Sequence, residues 1–251
     1  MKNCNRRDML GGLLGITFAP RLSWAFGDET KVDIAELELG PDTMSRPNAW
    51  KRLLYEVIQT TSVECVARSV RVDPTGEDLF KHPFSVLLGM DGFERVSDDG
   101  VEQLSRYLSY GGFLFIDDVS GSDSSGFDDS VRRLVRRVFP TRPLSPLPAD
   151  HSVYRSFFLI ENPVGRVEQF SFLEGVTVGN LCPLIYCRND LSGALDRGDD
   201  GRHRHSCVPG GDRQRREAVK LGLNLIMYSL TANYKRDQAH VQELMREGRL
   251  R

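Results

Sequence analysis

Residues 111–130 read GGFLFIDDVSGSDSSGFDDS, and this stretch contains the pattern that decides the fold. The apolar residues 113–116 run without a polar break, which is typical of a strand buried on both faces of a sheet. Two glycines precede them, and Asp117, Asp118 and a Gly- and Ser-rich loop follow. The segment therefore predicts a central strand that ends in two adjacent carboxylates.

Predicted strands and predicted helices alternate along the chain on both sides of this segment. Further apolar runs at 84–90 (FSVLLGM) and 181–187 (LCPLIYC) predict two more buried strands, and residues 31–39 (KVDIAELEL) alternate apolar and polar positions. Apolar residues recur at helical spacing in four other segments, at 45–61, 97–112, 127–140 and 215–231. Strands that alternate with helices predict an α/β fold in which helices cover both faces of a mostly parallel sheet.

Length and composition fit one domain with short extensions. The chain has 251 residues, of which 40% are hydrophobic and 27% are charged. We therefore expect a single α/β domain over residues 28–235 and a charged C-terminal tail over 236–251. The sequence has no run of about 18 apolar residues, so we expect no membrane span in the mature chain. A net charge of -2 does not favour nucleic acid as a partner.

The first 27 residues have the composition of an export signal rather than of the fold. Arg6 and Arg7 precede a short Gly-rich apolar stretch, and small residues follow near Gly27. An adjacent arginine pair before an apolar segment resembles the twin-arginine export signal. We therefore predict a signal peptide at 1–27 and a mature protein that is periplasmic or otherwise exported through the twin-arginine pathway.

Carboxylates follow each of the three predicted buried strands. Asp91 comes after the first strand, Asp117 and Asp118 after the second, and Asp190 after the third, while His151 lies in the loop PADHSVY. Parallel strands place their carboxyl ends at one edge of a sheet, where α/β proteins bind their ligands. We expect the acids to crowd that edge. Successive strand residues face opposite ways, so one acid of the adjacent pair should face a cleft and the other should hold the loop.

Three roles are open to these carboxylates, which repel one another unless they are protonated, bound to a metal or paired with arginine. Oxygen atoms of Asp117, Asp118 and Asp190 suit a divalent cation, the one cofactor that we consider. Asp117 or Asp118 as base or metal ligand, with His151 as acid–base partner and Asp190 as orienter, suits hydrolysis. The third role is structural, because Asp after a strand often caps a turn or a helix. No G-x-S-x-G or G-x-C-x-G sequence is present, which argues against an ordinary serine or cysteine nucleophile.

Several pieces of the chain resemble a bacterial domain-of-unknown-function family, number 4159. The most specific pieces are GGFLFIDD at 111–118 and HSVYRSFF at 151–158, and the resemblance extends over residues 31–234. It implies a three-layer, flavodoxin-like α/β sandwich related to the class I glutamine amidotransferases. It implies no activity, because the family has no established catalytic residues and the nucleophilic cysteine of the amidotransferases is absent.

Two hypotheses about function follow. The first is a non-catalytic module that binds a small ligand or an envelope protein. The missing nucleophile and a long polar, Gly-rich excursion at 193–214 suggest it. The second is a hydrolase that uses the strand-end acids on cell-envelope glycans or amides. Enzyme and binding protein are both compatible with the sequence, and the first hypothesis is favoured.

Overall fold

The computed structural model describes residues 31–123 and 125–246. The predicted signal peptide at 1–27 lies outside these residues. No helix among the described residues is both long enough and apolar enough to cross a bilayer.

Seven strands of the described residues form one sheet. In chain order they are β1 (Val32–Leu37), β2 (Cys65–Val72), β3 (Phe84–Gly89), β4 (Phe113–Asp118), β5 (Ser145–Pro146), β6 (Glu174–Val178) and β7 (Leu181–Cys187). Their spatial order is β2-β1-β3-β4-β7-β6-β5, and the first five strands in this order are parallel. β6 and β5 join antiparallel at one edge. The predicted mostly parallel sheet is thus confirmed.

Five α-helices of the described residues connect or follow the strands. They are α1 (Pro47–Thr60), α2 (Asp98–Ser109), α3 (Gly126–Val138), α4 (Leu191–Leu195) and α5 (Gly211–Arg246). Ser97 and Ser125 cap α2 and α3, because each Oγ accepts from a backbone N–H of the first turn, that of Gly100 at 3.1 Å and that of Asp128 at 3.0 Å. Each cap satisfies a donor that the helix itself leaves free. α5 continues to Arg246, beyond the apolar pattern that predicts it.

The five parallel strands have the order of flavodoxin-like folds, in which the second strand lies outside the first. α1 and α5 cover one face of the sheet, and α2 and α3 cover the other. The protein is therefore the three-layer α/β sandwich that the sequence predicts. The switch point, where the direction of strand addition reverses, lies between β1 and β3.

The central strand β4 supplies side chains to both hydrophobic cores, as its unbroken apolar run predicts. Phe113 and Phe115 pack toward α1 and α5, whereas Leu114 and Ile116 pack toward α2 and α3. All four residues are at most 2% exposed. Burial of each such side chain contributes about 1.5–3 kcal/mol, so β4 anchors both helical layers.

The chain between α3 and β6 departs from its predicted structure. Residues 153–160 (VYRSFFLI) read as a strand or an extended segment, but a 3₁₀ turn occupies Ser152–Arg155. Asn224 of α5 fixes the rest, because its Oδ1 accepts from the backbone N–H groups of Phe157 and Phe158. Its Nδ2 donates to two carbonyls of the same segment. These bonds explain why a fully buried amide lies in an apolar helix.

Candidate functional site

The carboxyl ends of β1, β3, β4 and β7 lie at one edge of the sheet, as their parallel pairing requires. Asp117 and Asp118 are the last residues of β4, and Asp190 follows three residues after β7. Asp91, two residues after β3, is exposed. The predicted gathering of acids at this edge therefore holds for the residues that follow β4 and β7.

Asp117 caps a helix from another part of the chain. Its Oδ1 accepts from the backbone N–H of Leu191 at 2.9 Å, and its Oδ2 accepts from that of Ser192 at 2.7 Å. These bonds satisfy donors that the first turn of α4 would otherwise leave free. The side chain is fully buried, and burial together with the nearby charge of Asp190 raises the pKa of Asp117 to about 7. Asp117 therefore serves the fold.

Asp118 faces the other side of the sheet, as alternation along a strand requires. Its Oδ1 accepts from the backbone N–H of Ser120 at 2.9 Å, and its Oδ2 accepts from the hydroxyls of Ser125 at 2.7 Å and Tyr186 at 3.3 Å. It is fully buried and fixes the loop between β4 and α3. The prediction that one acid of the pair holds the loop is confirmed. The prediction that the other faces an open cleft is wrong, because Asp117 is buried.

Asp190 lies between two arginines. Its Oδ1 accepts from Nη1 of Arg46 at 2.5 Å, and its Oδ2 accepts from Nε of Arg166. Its Oδ1 also accepts from the backbone N–H of Gly193 at 2.9 Å, so Asp190 caps α4 from a left-handed backbone conformation with φ of 53°. Asp190 is fully buried and Arg46 is 8% exposed. The charge of this carboxylate is therefore balanced by arginine, one of the three ways in which crowded acids can be accommodated.

The chain itself fills the crevice at the switch point. After β1 the backbone crosses the strand ends, and the N–H of Met44 donates to the carbonyl of Leu88 at 2.9 Å. The backbone N–H of Arg46 donates to Oε2 of Glu36 at 2.8 Å, while its guanidinium reaches Asp190. Flavodoxin-like folds bind ligands in this crevice, but here the segment after β1 occupies it.

The loop that carries Arg166 is held by one buried amide. Nδ2 of Asn189 donates to the carbonyls of Pro163 at 2.6 Å and Phe170 at 2.7 Å. Its Oδ1 accepts from the backbone N–H groups of Gln169 at 3.0 Å and Phe170 at 2.9 Å. The amide thus makes all four of the hydrogen bonds available to it, and it positions Arg166 against Asp190.

His151 lies at the opposite end of the strands from the carboxylates. Its ring is 5.4 Å from the ring of Tyr228, and the hydroxyl of Tyr228 accepts from the backbone N–H of Cys182 near the start of β7. Asp117 pairs with Cys187, which lies five residues of strand beyond Cys182, about 17 Å. The expected partnership between His151 and the strand-end acids is therefore wrong. His151 instead caps the 3₁₀ turn by accepting from the backbone N–H of Val153.

The acids predicted as metal ligands, Asp117, Asp118 and Asp190, all accept hydrogen bonds from the chain. Within residues 31–123 and 125–246, no group of three or more His, Cys, Asp or Glu side chains is arranged to hold a metal ion. Asp118 faces away from Asp117 and Asp190, and each of these carboxylates accepts hydrogen bonds from the chain at both oxygens.

A cleft opens beside this network, where residues 196–205 of the polar excursion lie near α1 and α5. The excursion is an ordered turn, because the N–H of Gly198 donates to the carbonyl of Arg202 at 2.8 Å and that of Arg204 donates to the carbonyl of Asp196 at 3.1 Å. The cavity has a volume of about 430 Å³. We call it the α1–α5 cleft. Its cationic lining residues are Arg52, Arg197, Arg215, Arg216 and Lys220.

A comparison with protein families identifies the family of the chain. The sequence profile described as Domain of unknown function (DUF4159) matches residues 33–230. The chain belongs to this family. The match extends over the sheet, the acidic network and the α1–α5 cleft of the DUF4159 domain. A comparison with curated proteins finds no match.

The arginines of the network are the part of this DUF4159 domain that sequence reasoning missed. Arg46 and Asp190 are 144 residues apart, and no periodicity connects them. Arg215, near the start of α5, donates to the carbonyls of Ala194 and His205. Only the topology of the folded chain identifies Arg46 and Arg166 as partners of Asp190.

Proposed function

We propose that this DUF4159 domain is a non-catalytic module that binds a small ligand or an envelope protein. One observation carries the proposal: Asp117, Asp118 and Asp190 are fully buried, and their oxygens accept hydrogen bonds from the chain itself. A general acid or base must reach the reacting proton directly or through one water. These side chains hold a helix, a loop and an ion pair instead.

The hydrolase hypothesis lacks support from the geometry. It requires His151 within hydrogen-bond reach of a strand-end carboxylate, whereas His151 packs beside Tyr228 at the other end of the sheet. The α1–α5 cleft offers a ligand an open surface instead. Its volume of about 430 Å³ lies within the range of small-molecule sites.

Turnover assays test this function. The purified full-length chain is expected to hydrolyse none of a panel of esters, glycosides and amides. Turnover that Asp117→Asn abolishes and Asp199→Asn leaves intact would contradict the proposal, because Asp199 is an exposed acid outside the network. In a parallel screen, a ligand that binds the folded chain raises its unfolding midpoint by mass action.

We also propose that the chain is exported through the twin-arginine pathway. Arg6 and Arg7, placed before an apolar stretch, support this proposal. Arg6→Lys with Arg7→Lys is expected to leave a C-terminally tagged chain in the cytoplasm, because the export machinery reads the arginine pair. Cell fractionation and immunoblotting measure the distribution, and Arg21→Lys in the same segment is the matched control. Equal periplasmic amounts of the double variant and the unaltered chain would contradict the proposal.

A further inference from the structure

The α1–α5 cleft contains more positive than negative charge. Five cationic side chains line it, against the carboxylates of Glu56 and Asp212. Glu56 pairs with Arg52 within α1, and the side chain of Asp212 is 87% exposed. In the part of the chain that the structure describes, no carboxylate lies within 4.0 Å of Arg197 or Arg216. The neighbouring acids therefore neutralise the cleft only in part.

Two of the arginines have a buried donor without a partner. The Nε atoms of Arg197 and Arg215 are buried, and neither has a hydrogen-bond acceptor among the described residues. Oδ1 of the exposed Asp212 lies 4.0 Å from Nε of Arg215, beyond hydrogen-bond distance. Arg215 is 8% exposed, and its two Nη atoms donate to the carbonyls of Ala194 and His205. A buried N–H without an acceptor costs free energy. Both side chains line the cleft, so an anion bound there would offset this cost with its charge.

The electrostatics of the cleft also favour a bound anion. Burial and the charge of Arg52 lower the pKa of Arg197 from its ordinary value. Burial and the charges of Arg215 and Arg197 lower the pKa of His203. Cations that repel one another in this way favour a counter-ion between them. α5 also begins at Gly211 beside the cleft, and the N-terminus of a helix attracts anions.

Apart from Thr60 and His203, the remaining lining of the cleft is apolar. Phe158, Leu195, Val219 and Leu223 contribute to it, and Leu195 and Leu223 are at most 2% exposed. Apolar walls with a few convergent polar groups are typical of sites for small organic molecules. The cleft therefore suits a ligand with an apolar body and a charged head.

A second cationic cavity provides an internal comparison. It measures about 380 Å³ and lies against α3, where Arg95, Arg133, Arg136 and Arg137 line it. There Arg137 pairs with Asp98 at 2.5 Å, and Arg133 donates to Ser130 at 2.6 Å. Among the described residues, none of these four arginines has a buried nitrogen without a partner. Positive charge is therefore common to both cavities. Buried donors without a hydrogen-bond acceptor belong to the arginines of the α1–α5 cleft and not to those of the α3 cavity.

We propose that the α1–α5 cleft binds a small organic anion, a carboxylate or phosphate on an apolar body, through Arg197, Arg215 and Arg216. The proposal rests on the proposed function, because it names the ligand class of that binding module. Guanidinium groups present planar sets of donors that match carboxylate and phosphate oxygens. The Nε–H groups of Arg197 and Arg215 belong to side chains that line the cleft, so their signals report a bound anion.

The test uses the Nε–Hε signals of the arginines in the uniformly ¹⁵N-labelled full-length chain. Phenyl phosphate and benzoate are titrated separately, and the signals of Arg197 and Arg215 are assigned by their loss in Arg197→Lys and Arg215→Lys. We expect phenyl phosphate, benzoate or both to shift the two signals. The probe that binds more tightly identifies the preferred head group, phosphate or carboxylate. Benzyl alcohol, which has the body without the charge, is expected to leave both signals in place.

Calorimetry measures the contribution of each arginine. Arg197→Gln and Arg216→Gln are expected to raise the Kd of the better probe about tenfold each, since each removes a charge-assisted contact. Arg136→Gln, in the α3 cavity, is the control. Like Arg216→Gln, it removes a positive charge from an exposed helix position, and its Kd should stay within about twofold of the unaltered chain. Thermal unfolding of each variant confirms that it is folded.

The outcomes separate the two proposals. Unmoved Nε–Hε signals with both anions, equal binding of benzyl alcohol, or equal weakening by Arg136→Gln would each overturn the anion site and leave the non-catalytic function intact. Release of inorganic phosphate from phenyl phosphate in the same samples would overturn the non-catalytic function and leave the anion site standing.

Discussion

Asp190→Asn is expected to lower the free energy of unfolding by about 3–5 kcal/mol, because it removes one partner of a buried ion pair. Asparagine keeps the size of the side chain and tolerates the left-handed backbone of this position. The substitution removes the negative charge at position 190. The guanidinium of Arg46, which is 8% exposed, therefore loses the carboxylate that it pairs with. Urea unfolding of the full-length chain measures the change.

Asp199→Asn is the control for this substitution. Asp199 is exposed in the neighbouring excursion, and the same change of charge there is expected to alter stability by no more than about 0.5 kcal/mol. Arg46→Met combined with Asp190→Asn should cost less than the sum of the single changes, because the two side chains share one interaction. A loss below about 1 kcal/mol in Asp190→Asn would show that the ion pair is not a major support of the fold.

Asn189→Asp is expected to destabilise the chain by about 3 kcal/mol or more at neutral pH. The aspartate keeps the acceptor for the N–H groups of Gln169 and Phe170, but it replaces the donor that serves the carbonyls of Pro163 and Phe170. Two buried carbonyls then face a carboxylate oxygen instead of an N–H. Urea unfolding quantifies the loss.

The matched control is Asn180→Asp, in the exposed turn between β6 and β7. It adds the same charge and is expected to change stability by no more than about 0.5 kcal/mol. Lowering the pH protonates the new carboxyl group of Asn189→Asp and should recover part of its loss, because a protonated carboxyl can donate one hydrogen bond. Equal stability of the two variants at neutral pH would contradict the role that we assign to Asn189.

Local sequence patterns predict the centre of the sheet and fail for the antiparallel strands β5 and β6. β3, β4 and β7 are buried on both faces, so almost every residue must be apolar and the runs are visible in the sequence. β6 reads EGVTV, and its first residue, Glu174, is buried because it pairs with Arg132 of α3 at 2.9 Å. β5 has two residues. Tertiary contacts, not periodicity, define β5 and β6.

The candidate site, too, could be predicted from the sequence only in part. Parallel topology predicts that Asp117 and Asp190 come together, because strand ends share one edge. Their roles depend on partners that lie far away along the chain: Asp117 caps Leu191, 74 residues on, and Asp190 pairs with Arg46 across 144 residues. Helix and strand signals act over a few residues, so they identify neither the cap nor the arginine.

The ion pair between Arg46 and Asp190 also has a consequence for the order of biosynthesis. A ribosome adds about 5–20 residues per second, so Asp190 emerges roughly 7–30 s after Arg46, given the 144 residues between them. Throughout that interval β1 and the segment that follows it have no Asp190 to bind. The ion pair can therefore form only after these 144 residues have been added, so the contact between the two ends of the sheet sequence is a late event of synthesis.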